Sequence, residues 1–185
     1  MITITIADIK KSVAKASRTW PIQFIANPTE AVCLEAVTKD GFAIEHIANP
    51  TEKVQLAAVS QNGFAIKHIA NPSLTVQLEA VKQNGYAIQF VKHHTKEVQM
   101  AAVQENCYAI QFVKNPSKEL CLEAVGHDAH AIQFIKKPSK EVQMAAVTQD
   151  AYAIGYIKTT FEDVIMAAYK QNPAVIGVMK LEWFK

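Results

Sequence analysis

No stretch of the chain reaches the roughly 18 consecutive apolar residues that a membrane-crossing helix needs. The opening Met1-Ile2-Thr3-Ile4-Thr5-Ile6 lacks the basic start and long apolar run of a secretory leader, and none is expected. Charge of one sign is missing as well: 19 Lys+Arg against 17 Asp+Glu leave +2. That balance argues against a strongly basic nucleic-acid binder and against a polyanionic mimic of DNA. There is no glycine-rich phosphate loop, no G-x-S-x-G and no paired-carboxylate signature. The histidines and cysteines show no metal-ligand spacing. Catalysis, a metal and an organic cofactor are therefore not expected. What is present is 185 residues, 50% of them hydrophobic, enough for one domain with a sizeable core.

The dominant feature is an internal repeat. Val32, Val54, Val76, Val98, Leu120, Val142 and Val164 lie 22 residues apart without an insertion. Ala36, Ala58, Ala80, Ala102, Ala124, Ala146 and Ala168 keep the same register, as do the isoleucines from Ile22 to Ile176. Each unit reads as two short helices. Asn27, Asn49, Asn71 and Asn115 precede a proline, a pair that suits an N-cap and first helical position. Glu30 and Glu52 then fall where a capping box places its acid. Gly41, Gly63 and Gly85 fit a left-handed stop after the first helix. The second helix is expected from Phe42 to Ala48, or Tyr86 to Lys92, too short to stand without neighbours. At 100° per residue the first helix has an apolar arc about 200° wide, so it is sandwiched between others.

The motif N-P-[ST]-x-x-V-Q-L-x-A-V-x-Q-N-G-[FY]-A-I, clearest from Asn71 to Val91, resembles a family of short helical repeats of unknown function. Such repeats occur in bacteria, their phages, giant viruses and protists. The resemblance spans about Trp20 to Lys180 and implies an all-helical scaffold, with no activity or catalytic residue to carry over. Cys107, Ala129, Ala151 and Pro173 depart from it at the glycine position, which implies a change of pitch.

Several columns are candidate sites. The glutamines Gln55, Gln77, Gln99 and Gln143 share their place with Cys33, Cys121 and Ile165, so they read as a buried structural ladder rather than a peptide-reading groove. The aromatic stripe through Phe42, Phe64, Tyr86, Tyr108 and Tyr152 reads as packing between repeats before it reads as a stacking platform for bases. His46 and His68 lie one repeat apart and offer too few ligands for a metal. Cys33 and Cys121 are four repeats apart, beyond disulfide reach, so free thiols in a reducing cytoplasm are expected.

The outer face of the second helices carries the sharpest candidate. Gln89 and Lys92, Gln111 and Lys114, and Gln133 and Lys136 are i,i+3 pairs, and Lys158 continues the lysine column. This edge suits an acidic protein surface or a phosphate backbone, against the simpler role of keeping the stack soluble.

We therefore expect one all-α domain, an α-solenoid of two-helix repeats with a right-handed superhelix like those of HEAT and armadillo arrays. Residues 1–19 form an N-terminal cap, 20–180 the repeats and 181–185 a C-terminal tail. The expected function is non-catalytic protein binding, in the manner of a phage or effector-type inhibitor or adaptor of a host protein. Nucleic-acid binding through Lys92, Lys114, Lys136 and Lys158 is the alternative. No membrane partner is expected. The apolar ends, Ile2, Ile4 and Ile6 at one and Leu181, Trp183 and Phe184 at the other, offer a route to a homodimer.

Overall fold

The structure, a computed structural model, describes residues 22–180 and 183. The expected cap over residues 1–19 and the tail residues Leu181 and Phe184 lie outside the described residues. Among the described residues all regular structure is helical. Seven α-helices are α1 (Glu30–Lys39), α2 (Glu52–Gln61), α3 (Leu74–Gln83), α4 (Lys96–Glu105), α5 (Lys118–His127), α6 (Lys140–Gln149) and α7 (Glu162–Gln171). Eight 3₁₀ helices alternate with them: η1 (Ile22–Phe24), η2 (Gly41–His46), η3 (Gly63–His68), η4 (Gly85–Phe90), η5 (Cys107–Phe112), η6 (Ala129–Phe134), η7 (Ala151–Tyr156) and η8 (Pro173–Gly177).

The second element of each repeat is thus a 3₁₀ helix, shorter than the segment Phe42–Ala48 or Tyr86–Lys92 that the sequence suggested. At 120° per residue, positions three apart eclipse. Gly63, Ile66 and Ile69 make one buried edge, and Lys67 and Ala70 an exposed one. The extended C-cap closes the turn, with the Ile69 N–H donating to the Ile66 carbonyl at 3.0 Å. Burying one isoleucine contributes about 1.5–3 kcal/mol. The six-residue element is held by that burial and not by its own hydrogen bonds.

The caps also differ from the expectation. The α-helix N-caps are Thr29, Thr51, Ser73, Thr95, Ser117 and Ser139, each accepting the N–H three residues on. The asparagines of the Asn-Pro pairs sit two residues earlier, and Asn27, Asn49 and Asn115 adopt left-handed φ of 53°, 51° and 53°. Glu30 and Glu52 make no capping box. They stand at the first helical position and reach forward to the next repeat, where the Thr51 and Ser73 hydroxyls donate to them. Asp40, Asn62 and their equivalents do two jobs. The backbone N–H closes one helix while the side-chain oxygen opens the next, as Asn62 Oδ1 does for the Phe64 N–H.

No glycine has a positive φ among the described residues, so Gly41 and Gly63 are not left-handed stops. They are the first residues of η2 and η3, and they permit close approach. A Cβ at Gly63 would lie 2.4 Å from the Ala80 carbonyl oxygen, and one at Gly41 would lie 2.6 Å from that of Ala58.

The described residues divide into two compact units, one ending at Val91 and the other beginning at Lys92. In the first, α1, α2 and α3 stack in order, and η2, η3 and η4 form the layer beside them. The Gly41 and Gly63 N–H groups donate to Gln61 and Gln83 Oε1 of the next repeat, both at 2.6 Å. The second unit stacks α4 to α7 beside η5 to η8. Cys107, Ala129, Ala151 and Pro173 stand there at the glycine position. Its glutamines turn round: Gln149 Nε2 donates to the Gly126 carbonyl at 2.8 Å and Gln171 Nε2 to that of Thr148 at 2.7 Å. The added Cβ and the reversed amide go together.

Candidate functional site

The Gln–Lys edge is built by the 3₁₀ helices and the bends that follow them. Gln111 and Gln133 lie inside η5 and η6. Lys114, Lys136 and Lys158 sit in the bends beyond η5, η6 and η7, not within a helix. All are exposed, as are Gln89 at the end of the first unit and Lys92 at the start of the second. Within the second unit η5 packs on η6 and η6 on η7, which brings Gln111, Lys114, Gln133, Lys136 and Lys158 onto neighbouring repeats. Each glutamine amide is fixed by its own turn. Gln89 Nε2 donates to the Tyr86 carbonyl, Gln111 to that of Tyr108 and Gln133 to that of His130, each at 3.0 Å.

Two lysines on the α-helical side of the second unit join repeats, whereas Lys96 and Lys170 on that side have no ion pair among the described residues. On the α-helical side, Lys118 pairs with Glu141 of the next repeat at 2.6 Å, and Lys140 with Asp163 at 2.5 Å. Among the described residues no ion pair engages Lys92, Lys114, Lys136 or Lys158. The next lysine of the column, Lys180, is diverted. Its Nζ donates to the Ile157 carbonyl at 2.8 Å and lies 5.4 Å from the Trp183 ring centroid. Trp183 folds back, its indole N–H donating to the Lys158 carbonyl at 3.3 Å.

The other candidate columns serve packing. Gln55, Gln77 and Gln143 donate to the carbonyls of Pro50, Pro72 and Pro138 at 2.9–3.0 Å, and Gln143 also to that of Thr159. Gln99 bonds to His94 Nδ1 instead. The aromatics meet edge-on across repeats: Phe42 with His68, Phe64 with Phe90, Tyr108 with Phe134 and His130 with Tyr156. His68 Nε2 lies 3.6 Å from Glu45 Oε2, while His46 is exposed. Cys33, Cys107 and Cys121 are free thiols, and burial pushes all three above the ordinary thiol range. That lowers their thiolate fraction and their worth as nucleophiles.

Two features escaped the sequence. One is a polar cluster on the 3₁₀ side of the second unit. The Tyr108 hydroxyl donates to Asp128, whose other oxygen accepts the His130 N–H at 2.8 Å. These bonds, that from Tyr108 foremost, hold the Asp128 carboxyl below the usual carboxylate range. The other is a series of open grooves along the α-helices, one of about 670 Å³ lined by Met144 and Ala145 between α5 and α6. The signal was present as a 22-residue column of Leu122, Met144 and Met166, but a wide apolar arc hides which rows stay half-open.

A family model described as a domain of unknown function (DUF4116) matches residues 74–116. The match runs from the first residue of α3 to the Asn115-Pro116 pair, close to two repeats. No curated protein and no solved structure matches the chain.

Proposed function

We propose that this protein is a non-catalytic binding scaffold whose Gln–Lys edge docks an acidic segment of a partner protein. The observation that carries the reading is the contrast between lysines. Lys118 and Lys140 are spent on joining repeats, whereas Lys92, Lys114, Lys136 and Lys158 stay exposed with no ion pair among the described residues. Lys114, Lys136 and Lys158 follow three 3₁₀ helices that pack in order in the second unit, and the adjoining fixed glutamines offer hydrogen-bonding groups of constant geometry. Such a scaffold would inhibit or redirect a host protein by covering its surface, as expected of an adaptor. Thiols kept free and protonated fit a reducing cytoplasm. Among the described residues no helix is long and apolar enough to cross a membrane.

The second reading, a phosphate track, uses the same lysines. With so few cations, its affinity would fall with a slope of roughly −3 to −4 in log K against log salt. The decisive experiment immobilises the protein and a variant with Lys92, Lys114, Lys136 and Lys158 changed to Glu, and challenges both with lysate, with and without nuclease. A stoichiometric protein captured by the wild type, retained after nuclease and lost by the variant is the expected result. Nucleic acid alone, with that salt slope, would replace the reading with the phosphate track. A protein captured equally by both forms would remove the edge from it.

A further inference from the structure

The internal repeats show which positions of an α-helix face the next repeat. The first helical position does, since Lys118 and Lys140 pair forward with Glu141 and Asp163. The ninth position does too, since Ser60 and Gln104 bond forward to Glu79 and Glu123. In α7 these positions hold Glu162 and Lys170, opposite charges eight residues apart. Between them, on the same arc of the helix, are Met166 and Tyr169.

The same face is open where earlier repeats are closed. Val147, which Tyr169 replaces, is fully buried, yet Tyr169 is 43% exposed. Ile176 of η8 is 65% exposed, although its counterparts Ile44, Ile66, Ile88, Ile110, Ile132 and Ile154 are all at 0–1%. With Met166 at 46%, these form an apolar patch framed by one acid and one base.

We propose that this forward face of α7 and η8 pairs with the same face of a second copy of the chain, the two α7 helices running antiparallel about a two-fold axis at Met166. The charge pattern selects this occupant. Residues 162 and 170 are equidistant from 166, about 6 Å on either side at 1.5 Å per residue. Antiparallel pairing therefore sets Glu162 against Lys170 of the other copy twice, with Met166 against Met166 at the centre. Parallel pairing would set Glu162 against Glu162. An isologous interface needs this self-complementarity. The substitution at the first position fits: Lys96, Lys118 and Lys140 open the three preceding helices, and Glu162 reverses the charge on the helix whose forward face is open.

The test is the oligomeric state of the 185-residue chain by sedimentation over a concentration series, with Glu162→Lys and Lys170→Glu made singly. The wild type is expected to dimerise reversibly. Each variant, folded by circular dichroism, is expected to dimerise on the order of tenfold or more weakly, because like charges then face each other twice. An equimolar mixture of the two is expected to recover wild-type association as a heterodimer. One copy then presents lysine at both positions and the other glutamate at both, so each facing pair is again of opposite charge. A monomeric wild type at every concentration overturns the proposal and leaves the face to the chain's own tail or another partner. A wild-type dimer indifferent to both variants overturns it by placing the contact elsewhere. Variants that dissociate but fail to associate on mixing overturn the antiparallel geometry.

Discussion

Replacing Gly63 by alanine tests whether the repeat glycine serves close approach or backbone freedom. The new Cβ would lie 2.4 Å from the Ala80 carbonyl oxygen, 1.0 Å short of the 3.4 Å at which ordinary contact begins. The obstacle is backbone, so the C-terminal turn of α3 must retreat. A retreat of that size stretches the 2.6 Å bond from the Gly63 N–H to Gln83 beyond hydrogen-bonding range. Overpacking costs about 1–3 kcal/mol, and the lost bond adds about 0.5–1.5 kcal/mol. Alanine's better helix propensity returns about 0.5–1 kcal/mol, because Gly63 does not use a positive φ. The net expectation is a loss of about 0.5–4 kcal/mol in urea unfolding, with an unchanged slope. Gly126→Ala is the matched control. Nothing lies within 4 Å of its Cβ, and it sits in the last turn of α5, so it should gain about 0.5–1 kcal/mol. If Gly63→Ala proved as stable as the wild type, the close-approach explanation would be wrong.

Phe161 occupies the N-cap position that each earlier α-helix among the described residues gives to Ser or Thr, and it makes no side-chain cap bond. Its backbone, at φ −107° and ψ 148°, already suits a cap, so Phe161→Ser should raise stability by about 1 kcal/mol in the same unfolding assay. Tyr108→Phe removes the foremost bond that holds the Asp128 carboxyl down, so an NMR titration of that carboxyl should show it moving up towards the ordinary range. The sign on stability follows. A depressed carboxyl contributes stability above its unfolded value, near pH 4, and loses it as pH falls through the folded one, so the wild type should lose more on acidification than Tyr108→Phe.

The period, the all-helical class and the exposed lysine column were legible in the sequence because each rests on many equivalent residues. Boundaries were less so, and for local reasons. Asn49-Pro50 and Thr51 both resemble the start of a helix, and only the left-handed φ of Asn49 shows that the chain is still turning. Over six residues an apolar pattern cannot separate 100° from 120° per residue, so Ile66 and Ile69 fit either helix. Gly63 looks the same in sequence whether its conformation or its missing Cβ is what matters. The Asp128 cluster joins residues from two repeats and a backbone N–H, which no linear motif records. Trp183 was visible as a sticky residue, but its acceptor is a main-chain carbonyl.

The 3₁₀ geometry also explains why the edge is free to vary. Within η5, at three residues per turn, Gln111 lies on a different row from Ile110 and Ala109, and Lys114 follows in the bend beyond the extended Val113 cap. Ile110, Val113 and Ala109 are buried, while Gln111 and Lys114 are exposed. A change at Gln111 or Lys114 therefore leaves the packed rows untouched. The column itself makes the point: its members are Glu45, Lys67, Gln89, Gln111, Gln133 and Gly155, with the repeat retained around each. A Cβ at Gly155 would meet Val178 only at ordinary distances of 3.4–3.5 Å, so glycine is not required there by space. The rows that hold the stack together admit few residue types, whereas this row carries acid, base, amide and glycine on the same backbone. Side chains can be exchanged on such a row, one per repeat, without altering how the repeats stack.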